Sequence, residues 1–189
     1  MKCIVSTTAI LLMLLAGSAW STEAYQLGVT GDEYMKAEQY DKAADEFTEV
    51  LAQHDSYYTV LAYLHRGCCY YQLGKLGKAT NDADEALAAM TGANGPMDTD
   101  LLAMGCLLKS SSLLAQGDYD KAKLALTDAS LMPGVSAFFF PIYADWVDKV
   151  ILAASGDKPI QLVALYKTLG KSTYELLTQL LSNKGWSQG

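Results

Sequence analysis

Tyr40-Asp41-Lys42-Ala43, Leu76-Gly77-Lys78-Ala79 and Tyr119-Asp120-Lys121-Ala122 are near-copies of one short segment, and each opens an amphipathic stretch of similar length. Their alanines stand 36 and then 43 residues apart. A period in this range marks a stacked-repeat architecture, in which no unit can bury its apolar face without a neighbour.

The flanks of these segments repeat as well. Twelve residues before Ala43 and Ala79 stand Gly31 and Gly67, each beginning a Gly-x-x-Tyr motif that ends at Tyr34 and Tyr70. Ala43 is followed by Phe47 and Val50, Ala79 by Ala83 and Ala86, and Ala122 by Leu126 and Ala129. Steps of three and four residues keep these side chains on one helix face. Small residues there let two antiparallel helices cross closely, and the aromatics fill the space beside the crossing. Gly74, in a Leu-Gly-Lys turn, is placed to end the first helix of its pair with positive φ. The turn Gln116-Gly117-Asp118-Tyr119 repeats that arrangement.

This pattern resembles the tetratricopeptide repeat, whose unit carries a small residue, an aromatic three later and Ala-x3-Phe in its second helix. The resemblance covers residues 24–57, 60–93 and 103–136. The third copy has Ser110 and Leu113 where the glycine and tyrosine should be, and the second has Ala83 where a bulky residue is usual. The resemblance implies an all-α fold, an α-solenoid of helix-turn-helix units, three clear and one degenerate. The degenerate pair spans 137–169: Pro141–Ser155 forms an amphipathic stretch, Gly156-Asp157 a turn, and Ile160–Leu169 a second helix after Pro159. Gln161 stands where the signature alanine belongs. A last helix over 172–183, with Ser172 and Glu175 spaced as a capping box, would close the exposed end of the stack.

The opening of the chain is different material. Lys2 is the only charge before Glu23, Ala9–Gly17 is a short apolar core, and Gly17-Ser18-Ala19 offers small residues to a signal peptidase. Residues 1–19 therefore read as a secretory signal peptide, with an exported, periplasmic or secreted product. The uncharged run to Thr22 also allows an uncleaved anchor, the one way in which this chain would meet a membrane. Ser18 stands where a lipoprotein would need cysteine. The remaining chain has no linker and reads as one domain. Thr91–Asp98 is its longest irregular stretch.

Charge is uneven. Nine acidic residues fall between Glu23 and Asp55, against Lys36 and Lys42 alone, in a chain of net charge −7. Such a surface repels nucleic acid and anionic lipid. It suits a basic partner, or it is the solvated face of two helices. Once Cys3 leaves with the signal, Cys68, Cys69 and Cys106 remain, an odd number that does not make a disulfide framework. A bond from Cys106 to Cys68 or Cys69 is open. Otherwise these are small buried apolar residues.

Nothing in the sequence builds a catalytic or metal centre. The two histidines, His54 and His65, lack metal-ligand spacing, and no Cys-x2-Cys or phosphate loop is present. No cofactor and no catalytic residue is expected; a small hydrolase on a helical scaffold is the remote alternative. In the family it resembles, the first helix of every unit lines a concave groove. Carried over by position, the lining is Tyr25, Asp32 and Met35 from the first unit and Leu61, Leu64, Cys68, Tyr71 and Gln72 from the second. The third unit supplies Met104, Leu107 and Ser111, and the degenerate unit Tyr143 and Trp146. This apolar and aromatic lining implies an extended or helical peptide as ligand. The family's carboxylate clamp of lysines and asparagines is missing, because those positions hold Gly28, Leu64, Leu107, Asp32, Cys68 and Ser111. The resulting expectation is an exported adaptor or scaffold for a protein or peptide partner. The alternative is a self-associating structural component that forms homo-oligomers. A third arrangement has the chain's own C-terminal helices occupying the groove.

Overall fold

The computed structural model of the chain describes residues 23–54, 56–91, 99–118, 120–122, 124–125 and 186. The signal-peptide segment, the degenerate unit with Tyr143 and Trp146, the capping helix and the loop at 92–98 lie outside the described residues. Nearly all of those described are helical or in turns, with no strand among them. Helix α1 occupies residues 23–36. It is followed by α2 (Tyr40–Ala52), α3 (Ser56–Gln72), α4 (Leu76–Thr91) and α5 (Thr99–Gln116). Helix resumes at 120–122 and 124–125.

Neighbours in sequence are neighbours in space: α2 packs on α3, α3 on α4, and α4 on α5. Helix α3 also touches α5. Consecutive packing with contacts between alternate helices is compatible with an α-solenoid.

The turns repeat in detail. The first helix of each pair ends with a residue of positive φ: Glu38 at 57°, Gly74 at 68° and Gly117 at 84°. The following residue then donates its N–H five residues back, Gln39 to the Tyr34 carbonyl at 2.9 Å, Lys75 to Tyr70 at 2.8 Å and Asp118 to Leu113 at 2.9 Å. These are Schellman closures, which satisfy carbonyls that the helix end leaves bare. From each turn the next helix opens in the same way. The N–H groups of Ala43, Ala79 and Ala122 bond the carbonyls of Gln39, Lys75 and Asp118 at 3.0–3.1 Å. The spacing of these turns equals the spacing of the sequence repeat, so the repeat is a repeat of backbone geometry.

The three alanines are buried at 0–1% exposure, where helix crossings leave no room for a larger side chain. Gly31 faces Phe47, whose ring carbons would lie 2.7 Å from a Cβ at that position. Gly67 faces Leu108 of α5 and Asp82 of α4, and Gly105 faces Leu87 of α4. One core cluster joins α3, α4 and α5 around Leu64, Cys68, Ala79, Ala83, Leu102 and Leu108. Two smaller ones join α1, α2 and α3 around Val50, Tyr58 and Leu61 and around Ala43, Phe47 and Cys69.

One polar tie crosses three helices. Arg66, the chain's only arginine, grips Asp82 with Nε at 2.9 Å and Nη2 at 2.8 Å, and donates from Nη1 to Thr48 Oγ1 at 3.1 Å. Its guanidinium carbon lies 5.6 Å from the centre of the Tyr63 ring and 5.7 Å from that of Tyr70. Burial disfavours the charged guanidinium, but the hydrogen bond and charge of Asp82 outweigh it and hold the Arg66 pKa above its ordinary value. Burial also raises the Asp82 carboxyl, by more than the Arg66 contacts lower it.

Candidate functional site

Of the residues expected to line a groove, those described lie on α1, α3 and α5 and differ in exposure. Tyr25, Asp32, Met35 and Tyr71 are half-buried and Gln72 is exposed. Leu61, Leu64, Cys68, Met104, Leu107 and Ser111 are buried, the last at 0%. A helix open to solvent along its groove face would show Met104, Leu107 and Ser111 at the surface. Instead these three are buried, as is most of α5 from Leu102 through Leu114, with Ala103 and Lys109 half-buried. The Ser110 and Ser111 hydroxyls turn back onto the Leu107 carbonyl, at 3.1 and 2.6 Å. Such back-bonding lets a serine enter an apolar interior without a partner on another helix.

At the α1 end of this face one of the covering groups is Trp186. Its indole lies directly on the backbone of Gly28, so closely that a Cβ there would collide with ring atoms Cδ2, Cε3 and Cζ3. Phe47 of α2 stacks on it with ring centres 5.9 Å apart and planes at 11°. Tyr58 and His65 of α3 tilt against it at 5.4 and 5.5 Å. Phe47 and His65 also touch each other, at 5.1 Å. Trp186 is therefore held in a cleft formed by α1, α2 and α3, with aromatic rings around it and bare backbone beneath.

The cleft contains polar groups that are incompletely satisfied. His65 is 3% exposed. Its Nδ1 lies 2.9 Å from Asp32 Oδ1 of α1, but the carboxylate sits off the ring's donor axis, so the contact is an ion-pair distance without an aligned hydrogen bond. Among the described residues its Nε2 has no hydrogen-bond partner, and neither does the buried Nε1 of Trp186. Buried polar atoms in this condition are uncommon.

Cys68, Cys69 and Cys106 beside this face are buried thiols. Burial pushes the Cys68 thiol well above its ordinary range and that of Cys69 up to about 12. Burial of this kind disfavours the thiolate, the form that reacts as a nucleophile. Burial also raises the Tyr71 phenol. Among the described residues no three His, Cys, Asp or Glu side chains converge as a metal site would require. No described helix is long and apolar enough to cross a membrane.

Sequence reasoning named Asp32 as a groove residue but did not see Phe47, Tyr58, His65 and Trp186 as parts of one cleft. The available signal was Trp186 itself, a lone aromatic in the polar run Ser182–Gly189. No protein-family model matches this chain, and no functionally curated protein matches its sequence.

Proposed function

We propose that this chain is an exported tetratricopeptide-repeat adaptor, holding a protein or peptide partner in the cell envelope and carrying no catalytic step. The observation that supports it most is the threefold recurrence of the Schellman turn and alanine-opened helix at the spacing of the sequence repeat. Helix pairs closed by such turns and crossing at small residues are what the repeat resemblance implies, and arrays of this kind present extended surfaces for partners. The signal-like opening supports export.

In this reading the partner meets the rim of the first-helix face, at Tyr25, Asp32, Met35, Tyr71 and Gln72, which retain access to solvent. The buried members of that face support the pairing of the helices. They are the wrong place for a test, because a charge at Leu64 would disrupt the core whatever the function.

The test is affinity capture of the tagged chain from its native host after crosslinking, beside the double variant Tyr71→Ser, Gln72→Lys. One or two dominant envelope proteins, lost at least tenfold in the variant while helical circular dichroism is kept, are the expected result. Recovery of the chain alone would overturn the adaptor reading and leave self-assembly in its place. Sequencing the N-terminus of the exported product tests the signal: a first residue near Trp20 is expected, and an intact Met1 contradicts cleavage.

A further inference from the structure

The α1–α2–α3 cleft has the build of a ligand pocket. Gly28 is a helix-interior glycine, a position at which glycine weakens the helix it stands in. What it provides here is bare backbone on which a flat ring can lie, since a Cβ would occupy the space of the indole. Phe47, Tyr58 and His65 enclose that ring with centre distances of 5.4–5.9 Å. Offset and tilted contacts of this kind are the favourable ones between aromatic groups. The pocket therefore takes a flat aromatic ring, and in this chain an indole fills it.

Trp186 fits the shape but leaves the polar groups unmet. The indole Nε1–H is buried without an acceptor, and His65 Nε2 is buried without a partner, although the two rings touch. Leaving a buried donor or acceptor unmade costs more than an average hydrogen bond contributes. A ligand that seats its ring on Gly28 and aligns its N–H with His65 would satisfy both atoms. Trp186 is part of the same chain, so its contact with the cleft is intramolecular.

We infer that this cleft is a binding pocket for a tryptophan-bearing peptide segment, occupied in the isolated chain by Trp186, and that a partner enters by offering its own tryptophan in exchange. This rests on the reading of the chain as a peptide-binding adaptor and names what the adaptor recognises.

The probe is the labelled octapeptide SNKGWSQG, residues 182–189 of this chain, titrated into the full chain and into its Trp186→Ala variant. The variant should bind the peptide at least tenfold more tightly than the parent, whose pocket is already filled, and the same peptide with alanine for tryptophan should not bind. Equal affinity for parent and variant, no binding to a variant that keeps its helical signal, or equal binding of the alanine peptide overturns the proposal.

Should Trp186→Ala lose its helices, Gly28→Ala in the intact chain decides. In 5-fluorotryptophan-labelled protein the Trp186 fluorine resonance, assigned by its loss in Trp186→Phe, should move to its position in the denatured chain. An unmoved resonance overturns the pocket. Loss of the pocket with envelope capture intact leaves the adaptor reading standing, and peptide binding without capture overturns only the adaptor.

Discussion

At Glu38 the backbone takes φ 57°, the left-handed conformation that Gly74 and Gly117 adopt at the equivalent turns. A residue with a Cβ is strained there, and glycine is not. Glu38→Gly is therefore expected to stabilise the chain by about 1 kcal/mol, raising its thermal midpoint by ~2–4 °C; a fall in the midpoint would show that Glu38 makes a contact worth more than the strain. Cys68 and Cys69 give a second check at this scale. The Cys69 thiol is raised from 9.0 to about 12, so the folded chain keeps a proton that the unfolded chain releases. Stability from this group is intact below pH 9 and falls as pH rises towards 12. Thiol titration of the native chain without its signal at pH 8 should find Cys68, Cys69 and Cys106 slow to react, and all of them available in guanidinium. The sequence made the cysteines readable as small buried residues, because an odd number excludes a full set of bonds. It could not show Glu38 in a left-handed turn, since glutamate carries no preference for that conformation.

Between elements, the Arg66–Asp82 pair and its link to Thr48 tie α2, α3 and α4 together. The Asp82 side chain is 6% exposed and that of Arg66 17%, so removing the carboxylate strands a largely buried cation. Asp82→Ala should cost about 3 kcal/mol in urea unfolding. The double replacement Arg66→Met, Asp82→Leu should cost less than Asp82→Ala alone, because no charge is then left without its partner. If the double variant is the weaker of the two, the pair contributes net stability beyond cancelling its own burial. The pairing of helices was legible in the repeat: Gly31, Ala43 and Ala79 mark close crossings, and the structure has them buried at such crossings. The burial of Met104, Leu107 and Ser111 on α5 was not legible as such. Met104, Leu107 and Ser111 lie at positions that face a groove in an open array, and their sequence is the same whether that face is wet or covered.

For the molecule as a whole, Trp186 matters because it joins the far end of the sequence to the first helix pair. A solenoid is otherwise held by contacts between neighbours, and each pair can fray without the rest. Trp186→Ala should destabilise the chain by about 3 kcal/mol, and amides of α1 should then exchange before those of α4. Uniform acceleration along the chain would mean that the contact does not act on the first pair in particular. The order of the helices and the glycine-ended turns at Gly74 and Gly117 were determined by the sequence alone. Each of these depends on residues within one repeat, where backbone hydrogen bonds and helical periodicity act over a few positions. Whether the first-helix face is open, and which distant side chain reaches Gly28, was decided only by the tertiary structure. The placement of Trp186 brings together groups from α1, α2, α3 and the last residues of the sequence, and no local pattern encodes the meeting of segments so far apart in the chain.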